Sequence, residues 1–153
     1  MAIAVRRATS SDVTTLVAFN VAMAAESEDK ALDEGVLHQG IEAVLGNPVH
    51  GLYLVAERQG RVVGTLMVTY EWSDWRNGRF WWIQSVFVSE EHRRRGVYRA
   101  LHDHVRALAM SDDSSCGIRL YVERDNTGAQ ATYDAMGMGE TEYRLYEEEW
   151  AQG

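Results

Sequence analysis

Phe80-Trp-Trp-Ile-Gln-Ser-Val-Phe-Val-Ser89, followed directly by Glu90-Glu-His-Arg-Arg-Arg-Gly-Val-Tyr-Arg99, decides the reading of this chain. The first half is an apolar strand and the second a short polar turn that opens a helix running to residue 109. On that helix Val97, Leu101, Val105 and Leu108 recur at three-and-four spacing and form a buried face. The first amides of a helix have no internal acceptor and lie at the positive end of its dipole. Arg93, Arg94 and Arg95 add three cations at that end, a conflict that a bound anion relieves. Gly96 lets a ligand approach the backbone closely, since it has no side chain in the way. The plainer alternative is a solvated arginine run. The combination favours a turn that holds the pyrophosphate of a nucleotide-like cofactor.

Working outward, residues 3–9 alternate as a first strand, and Ser10, Ser11 and Asp12 are cap residues before a helix over 13–26. A second helix spans 33–45 and ends at Gly46-Asn47-Pro48, which holds the single proline. Strands at 52–57 and 61–70 flank Arg58-Gln59-Gly60 and form an antiparallel hairpin. Residues 72–79, with Asn77-Gly78, turn the chain into the strand at Phe80. After the central helix come a strand at 117–123, a helix at 129–136 stopped by Gly137, and a closing edge strand at 142–150. The order is β-α-α-β-β-β-α-β-α-β. The helical crossover sets the Phe80 strand parallel to the Ile118 strand, with a ligand cleft where they splay. No repeat or linker interrupts the chain, so one domain over 1–153 is expected.

With 153 residues, 46% hydrophobic and 25% charged, the composition suits a globular domain with its own core. The single cysteine, Cys116, excludes an internal disulfide and reads as a buried thiol. No apolar run reaches membrane length and no leader is evident, so a cytoplasmic protein without a membrane partner is expected. The net charge of −8 argues against nucleic acid as a partner and for cationic or amine ligands. His102 and His104 sit on different helix faces, and His38, His50 and His92 lack ligand spacing, so no metal is expected.

The turn resembles the acetyl-coenzyme A binding motif of the GNAT acetyltransferase superfamily, Gln/Arg-x-x-Gly-x-Gly/Ala, with Arg93 and Gly96 matching. Tyr98 stands where glycine or alanine is usual, so its side chain points away from the pyrophosphate or packs on the cofactor. The residues Val86-Phe87-Val88 resemble the family's bulged fourth strand, whose backbone bonds the pantetheine arm and the thioester. The resemblance implies a mixed α/β (α+β), mostly antiparallel sheet of six to seven strands with about four helices. It also implies acetyl-CoA as co-substrate, held by Val86, Phe87, Val88, Arg93, Arg94, Arg95, Gly96, Val97, Tyr98 and Arg99.

Asn126-Thr-Gly-Ala129-Gln-Ala-Thr-Tyr133-Asp-Ala-Met-Gly137-Met138 resembles the later family signature Asn-x-x-Ala-x-x-x-Tyr-x-x-x-Gly-Phe. By that resemblance Asn126 bonds the pantetheine arm and Tyr133 protonates the departing thiolate. A phenol of ordinary pKa near 10 suits that task; the alternative is a core aromatic.

For the proton that an attacking amine must lose, Gln84 on the fourth strand cannot serve, though it can orient a water or the acceptor. Glu71 either accepts that proton or merely ends a hairpin in water. Glu26 and Glu28, in the loop after the first helix, are candidates with Glu71, Asp74 and Trp72 or Trp75 for an acidic, aromatic-walled acceptor pocket; the plainer alternative is that these loop charges are simply solvated. The expected activity is N-acetylation of a primary amine on a small, cationic acceptor by direct attack in a ternary complex. The alternatives are a protein N-terminal or lysine acetyltransferase, or a non-catalytic acyl-CoA binding domain. A homodimer through the last strand is a further expectation.

Overall fold

A computed structural model describes residues 2–151. These fall into two compact units, one ending at Leu120 and the other starting at Tyr121. Among the described residues there are five strands and four α-helices.

The first unit holds strand β1 (Ala4–Arg7), helices α1 (Val13–Glu28) and α2 (Glu34–Gly46), and strands β2 (Leu52–Arg58), β3 (Arg61–Ser73) and β4 (Gly78–Val88). Helix α3 (Val97–Met110) and strand β5 (Ser115–Arg119) complete it. The sheet order is β1-β2-β3-β4-β5, antiparallel except for β4 and β5, which run parallel. The expected crossover is therefore present. Strands β2 and β3 are joined by Gln59 and Gly60, both at positive φ, the mirror-image turn whose twist matches a hairpin.

Alternation splits the strands between two cores. Leu52, Leu54 and Ala56 of β2, Leu66 and Val68 of β3, and Trp81 and Ile83 of β4 pack with Val97, Leu101, Val105 and Ala109 of α3. Tyr53 and Val55 face the other way, onto Val13 and Leu16 of the α1 segment and Ile41 of α2. Helix α3 therefore covers one face of the sheet, while α1 and α2 cover the other. Gly64 sets how closely α3 seats, because a Cβ there would stand 2.8 Å from Val97 Cγ1.

At the chain's start Arg6 pairs with Asp12 and Glu57, each at 2.8 Å. The Asp12 carboxyl, bonded by Arg6 and by the Thr9 amide, is held below its ordinary pKa.

The second unit contains α4 (Thr127–Ala135). Residues 138–151 form neither helix nor strand, so the expected strand at 142–150 is absent and the sheet has five strands, not six to seven. The glutamates at 140, 142, 147, 148 and 149 make this segment strongly anionic, which disfavours close strand pairing. The strand expected at 117–123 is β5, displaced toward the N-terminus. Its pairing ends at Trp82 opposite Arg119, just before β4 bulges away.

Candidate cofactor and acceptor site

The site is built on β4 and the turn that follows it. Thr65 pairs with Phe87 and Met67 with Gln84, so two steps on β3 are matched by three on β4. The extra residue is a β-bulge, and Ser85 takes it at φ +51°. The Tyr53 hydroxyl, buried below the sheet, has the Asn20 and Ser85 side chains beside it; burial raises this phenol's pKa and those two contacts offset part of the rise. From Ile83 to Val88 strand β4 has no ladder with β5. That edge lacks a strand partner from β5, although Val88 O already accepts from Arg93, and an unladdered extended edge is the fit that a pantetheine arm requires.

Beyond Val88, the Ser89 amide donates to Val63 O at 2.9 Å, and a single 3-10 turn spans Glu90–His92. Arg94 and Gly96 then take positive φ, +63° and +82°. A Cβ built on Gly96 meets nothing within 4 Å, so the glycine borders open space. No side chain caps α3, and its first internal bond runs from the Ala100 amide to Gly96 O at 3.0 Å. An uncapped helix start, with exposed Arg94, Arg95 and Arg99 around it, has the donors and charge that a pyrophosphate needs. The residues present fit the cofactor that the sequence implies.

Two members of the turn have structural duties. The Arg93 amide donates to Glu90 O, while its guanidinium donates to Val88 O at 2.8 Å and to Glu26 at 2.8 Å. It also lies 5.4 Å from the Phe87 ring centroid. Arg93 thus clamps the end of β4 to α1 and forms the wall of the cradle. Tyr98 is half-buried against the α3 core and shares a 2.9 Å hydrogen bond with His102 Nδ1. Of the two dispositions open to it, the side chain follows the helix into the protein. His102, only 1% exposed, has its pKa lowered, first by burial and next by Arg106.

On the α1 face of the sheet, β4 presents Phe80, Trp82 and Gln84, and β3 presents Thr69 and Glu71. Gln84 donates to the Thr69 hydroxyl. Glu71 is bonded by Arg119 at 2.7 Å, and Arg119 in turn lies 3.7 Å from the Phe80 ring centroid. Glu26 and Glu28 belong to the last turn of α1 and not to a loop, and Glu26 is matched by Arg93. Trp72 follows Glu71 directly on β3, so it points to the opposite face and is 61% exposed. Trp75 is 89% exposed in the 3-10 turn that begins at Asp74. The expected acidic, aromatic-walled pocket is therefore not assembled as a unit. Sequence reading also missed Phe80 and Arg119. The signal available was a run of aromatics opposite an arginine in the parallel neighbour strand.

In the second unit, Asn126 Oδ1 accepts from the Ala129 amide at 3.1 Å and caps α4. Its NH2 group is the part left for a ligand. Tyr133 is half-buried on the same helix, and Gly137, at φ +90°, ends it. Among the described residues no three His, Cys, Asp or Glu side chains converge on a metal site, and no helix is long and apolar enough to cross a membrane.

The model of the acetyltransferase (GNAT) family matches residues 19–138. A possible acetyltransferase from Clostridium difficile 630 is 42% identical, with a TM-score of 0.90, over 99% of this chain and 100% of that one. A predicted acetyltransferase with acetyl-CoA from Clostridium acetobutylicum is 18% identical, with a TM-score of 0.80, over 96% of each chain. AAC(6')-Iy in complex with the bisubstrate analogue CoA-S-monomethyl-acetylneamine is 17% identical, with a TM-score of 0.79, over 99% of this chain and 100% of that one. No curated protein matches. The match over most of the chain, together with a bulged β4 running into an uncapped, glycine-opened helix, shows that this protein belongs to the acetyltransferase (GNAT) family.

Proposed function

We propose that the chain is an N-acetyltransferase that passes the acetyl group of acetyl-CoA to the primary amine of a small, cationic acceptor by direct attack in a ternary complex. The observation that carries this reading is the continuity of β4 with α3. Strand β4 leaves its β5 ladder after Trp82, bulges at Ser85 and ends in the open Gly96 turn. One element thus offers an extended backbone edge and, next to it, an anion cradle.

When bound, acetyl-CoA supplies an activated thioester whose sulfur is the leaving group. The amides and arginines of 94–99 hold its pyrophosphate, with Arg93 bracing the turn. The backbone of Val86, Phe87 and Val88 bonds the pantetheine arm and polarises the carbonyl, the kind of fixed donor that counts most where negative charge develops. Asn126 adds a bond through its NH2 group. Tyr133 gives its phenolic proton to the departing sulfur.

Glu71, fixed by Arg119, takes the proton that the amine loses, through a water that Gln84 helps to orient. A cationic acceptor is supported by the net charge of −8 and the exposed Glu28, since Glu26 and Glu71 are already matched by arginines. Glu26, Glu28 and Gln84 remain the residues proposed to border the acceptor, whereas Trp72, on the opposite face of the sheet from Glu71 and Gln84, is set aside. The family match spans both compact units, which supports one acetyltransferase domain across 1–153; a cytoplasmic location and a homodimer are also proposed.

The test is release of free thiol from acetyl-CoA with a panel of diamines, amino acids and peptides. Turnover with small diamines is expected. Tight acetyl-CoA binding without turnover of any amine would overturn the reading and leave an acyl-CoA binding domain. Turnover of peptides alone would make it a protein acetyltransferase.

A further inference from the structure

The α3 face of the sheet carries a second recess, far from the cofactor turn. Gly96 opens α3 and Leu108 and Ser111 lie at its other end, about 20 Å away at 1.5 Å per residue. There a cavity of about 490 Å³ lies between the end of α3, the start of β4 and the loop before β2. Its volume is in the range of small-molecule sites, roughly 300–1,000 Å³. Pro48, Val49 and Leu108 give it an aliphatic wall, and Tyr70 and Trp81 an aromatic floor. These two rings meet edge to face at 5.3 Å.

The polar side is unbalanced. Arg79 lies 3.9 Å over the Tyr70 ring centroid and is paired with Asp112 at 3.1 Å. Asp112 is further bonded by the Ser114 amide and hydroxyl. Those bonds, together with Arg79, hold its carboxyl at about 2, so it stays charged and matches Arg79. Arg7 also lines the cavity and enters no ion pair among the described residues. Two guanidiniums against one carboxylate leave one positive charge unmatched, on a chain whose net charge is −8.

Donors point the same way. Trp81 is 4% exposed and its Nε1–H has no acceptor among the described residues, an arrangement that costs stability until an acceptor arrives. Burial raises the pKa of the Tyr70 phenol, and both Arg79 and Arg7 are close enough to oppose that rise. A phenol, an indole and an unpaired guanidinium fork all belong to residues that line the cavity, each carries a donor, and an anion is the ligand that such donors have in common. With a single unmatched cation, set beside aliphatic and aromatic walls that share the lining about equally with polar groups, the fit is to a monoanion with an organic body and not to a free polyanion.

We propose that this cavity is a second ligand site, which binds a small aromatic or aliphatic carboxylate through Arg7, with Tyr70 and Trp81 as neutral donors. It is separate from the acetyl-transfer machinery and does not depend on it. Tyr70, Trp81 and Arg79 are shaped by strand packing, whereas Arg7 sits exposed at the end of β1 with room to close on a carboxylate.

The experiment is titration of the full chain with benzoate, followed through the indole N–H resonances, with that of Trp81 identified by Trp81→Phe. A saturable shift at Trp81 is expected, weakened about ten-fold or more by Arg7→Gln, as loss of a charge-assisted bond implies. Val49→Glu, at a 79% exposed position beside the cavity, places a like charge at its mouth and should also weaken benzoate without disturbing the fold. Neutral benzamide should bind much more weakly than benzoate. Parental affinity in both variants, equal binding of benzamide, inorganic phosphate binding as tightly as benzoate, or no shift at Trp81 would each overturn the proposal.

Discussion

The Tyr98 hydroxyl and His102 Nδ1 lie 2.9 Å apart, one helical turn from each other on α3. This bond explains how a phenol occupies a motif position where glycine or alanine is usual. The ring is drawn along the helix toward the core and leaves the Gly96 cradle clear. Tyr98→Phe therefore removes a partner from a buried imidazole and should cost about 1–3 kcal/mol of stability, read from urea denaturation. Acetyl-CoA affinity should change by less than about two-fold, well under 1 kcal/mol. A large loss of affinity with unchanged stability would place the phenol on the cofactor instead.

The same histidine makes stability depend on pH. His102 is buried beside Arg106, and its pKa is lowered from the ordinary 6.5, with Asp103 opposing and Arg99 adding to the effect. The unfolded chain then takes up a proton before the folded one does as pH falls. Stability from this group is present above the ordinary value and declines as pH drops from it toward the lowered folded value. Denaturant midpoints from about pH 7.5 to 5 should fall in the parent and fall less in His102→Gln, because only the parent carries the linked proton.

Gly64 and Val97 offer a steric test of how the phosphate turn is seated. A Cβ at Gly64 stands 2.8 Å from Val97 Cγ1, so Gly64→Ala should lift the start of α3 and cost about 1–3 kcal/mol, with weaker acetyl-CoA binding. Adding Val97→Ala vacates the contact, and the double variant should regain part of that affinity. Equal effects with and without Val97→Ala would show that the two positions are not coupled.

Tyr133 and Glu71 are separated by the pH profile of thiol release. Tyr133→Phe should lower kcat about 10²-fold or more and remove an alkaline limb, as loss of a general acid does. Glu71→Gln should lower kcat/KM by a similar order, about 10²-fold, most strongly where the acceptor is protonated. An unaltered profile in either variant would remove that residue from the chemistry.

The β4–α3 element was legible because its parts agree: an apolar run, a basic turn with glycine, and a three-and-four apolar face. The hairpin at Gln59-Gly60 and the parallel crossover followed from local signals of the same kind. The closing strand was not legible. Tyr143, Leu145 and Tyr146 favour a strand locally, but the glutamates around them and the lack of a ladder leave residues 138–151 irregular. Within the site, chain proximity misled where alternation decides. Glu71 and Trp72 are neighbours in sequence but point to opposite faces. The arginines that match Glu26 and Glu71 come from positions 67 and 48 residues later, a distance over which no spacing rule operates.

Calorimetric titration of acetyl-CoA into Gly96→Ala and Gly96→Glu tests whether the open Gly96 turn receives the cofactor's pyrophosphate. Both substitutions carry the same left-handed backbone strain, roughly 1–2 kcal/mol, and neither Cβ meets a neighbour, so their difference isolates the added charge. Gly96→Ala should keep measurable affinity, while Gly96→Glu should lose it at equal thermal stability. Equal acetyl-CoA affinity in the two folded variants would place the pyrophosphate away from Gly96.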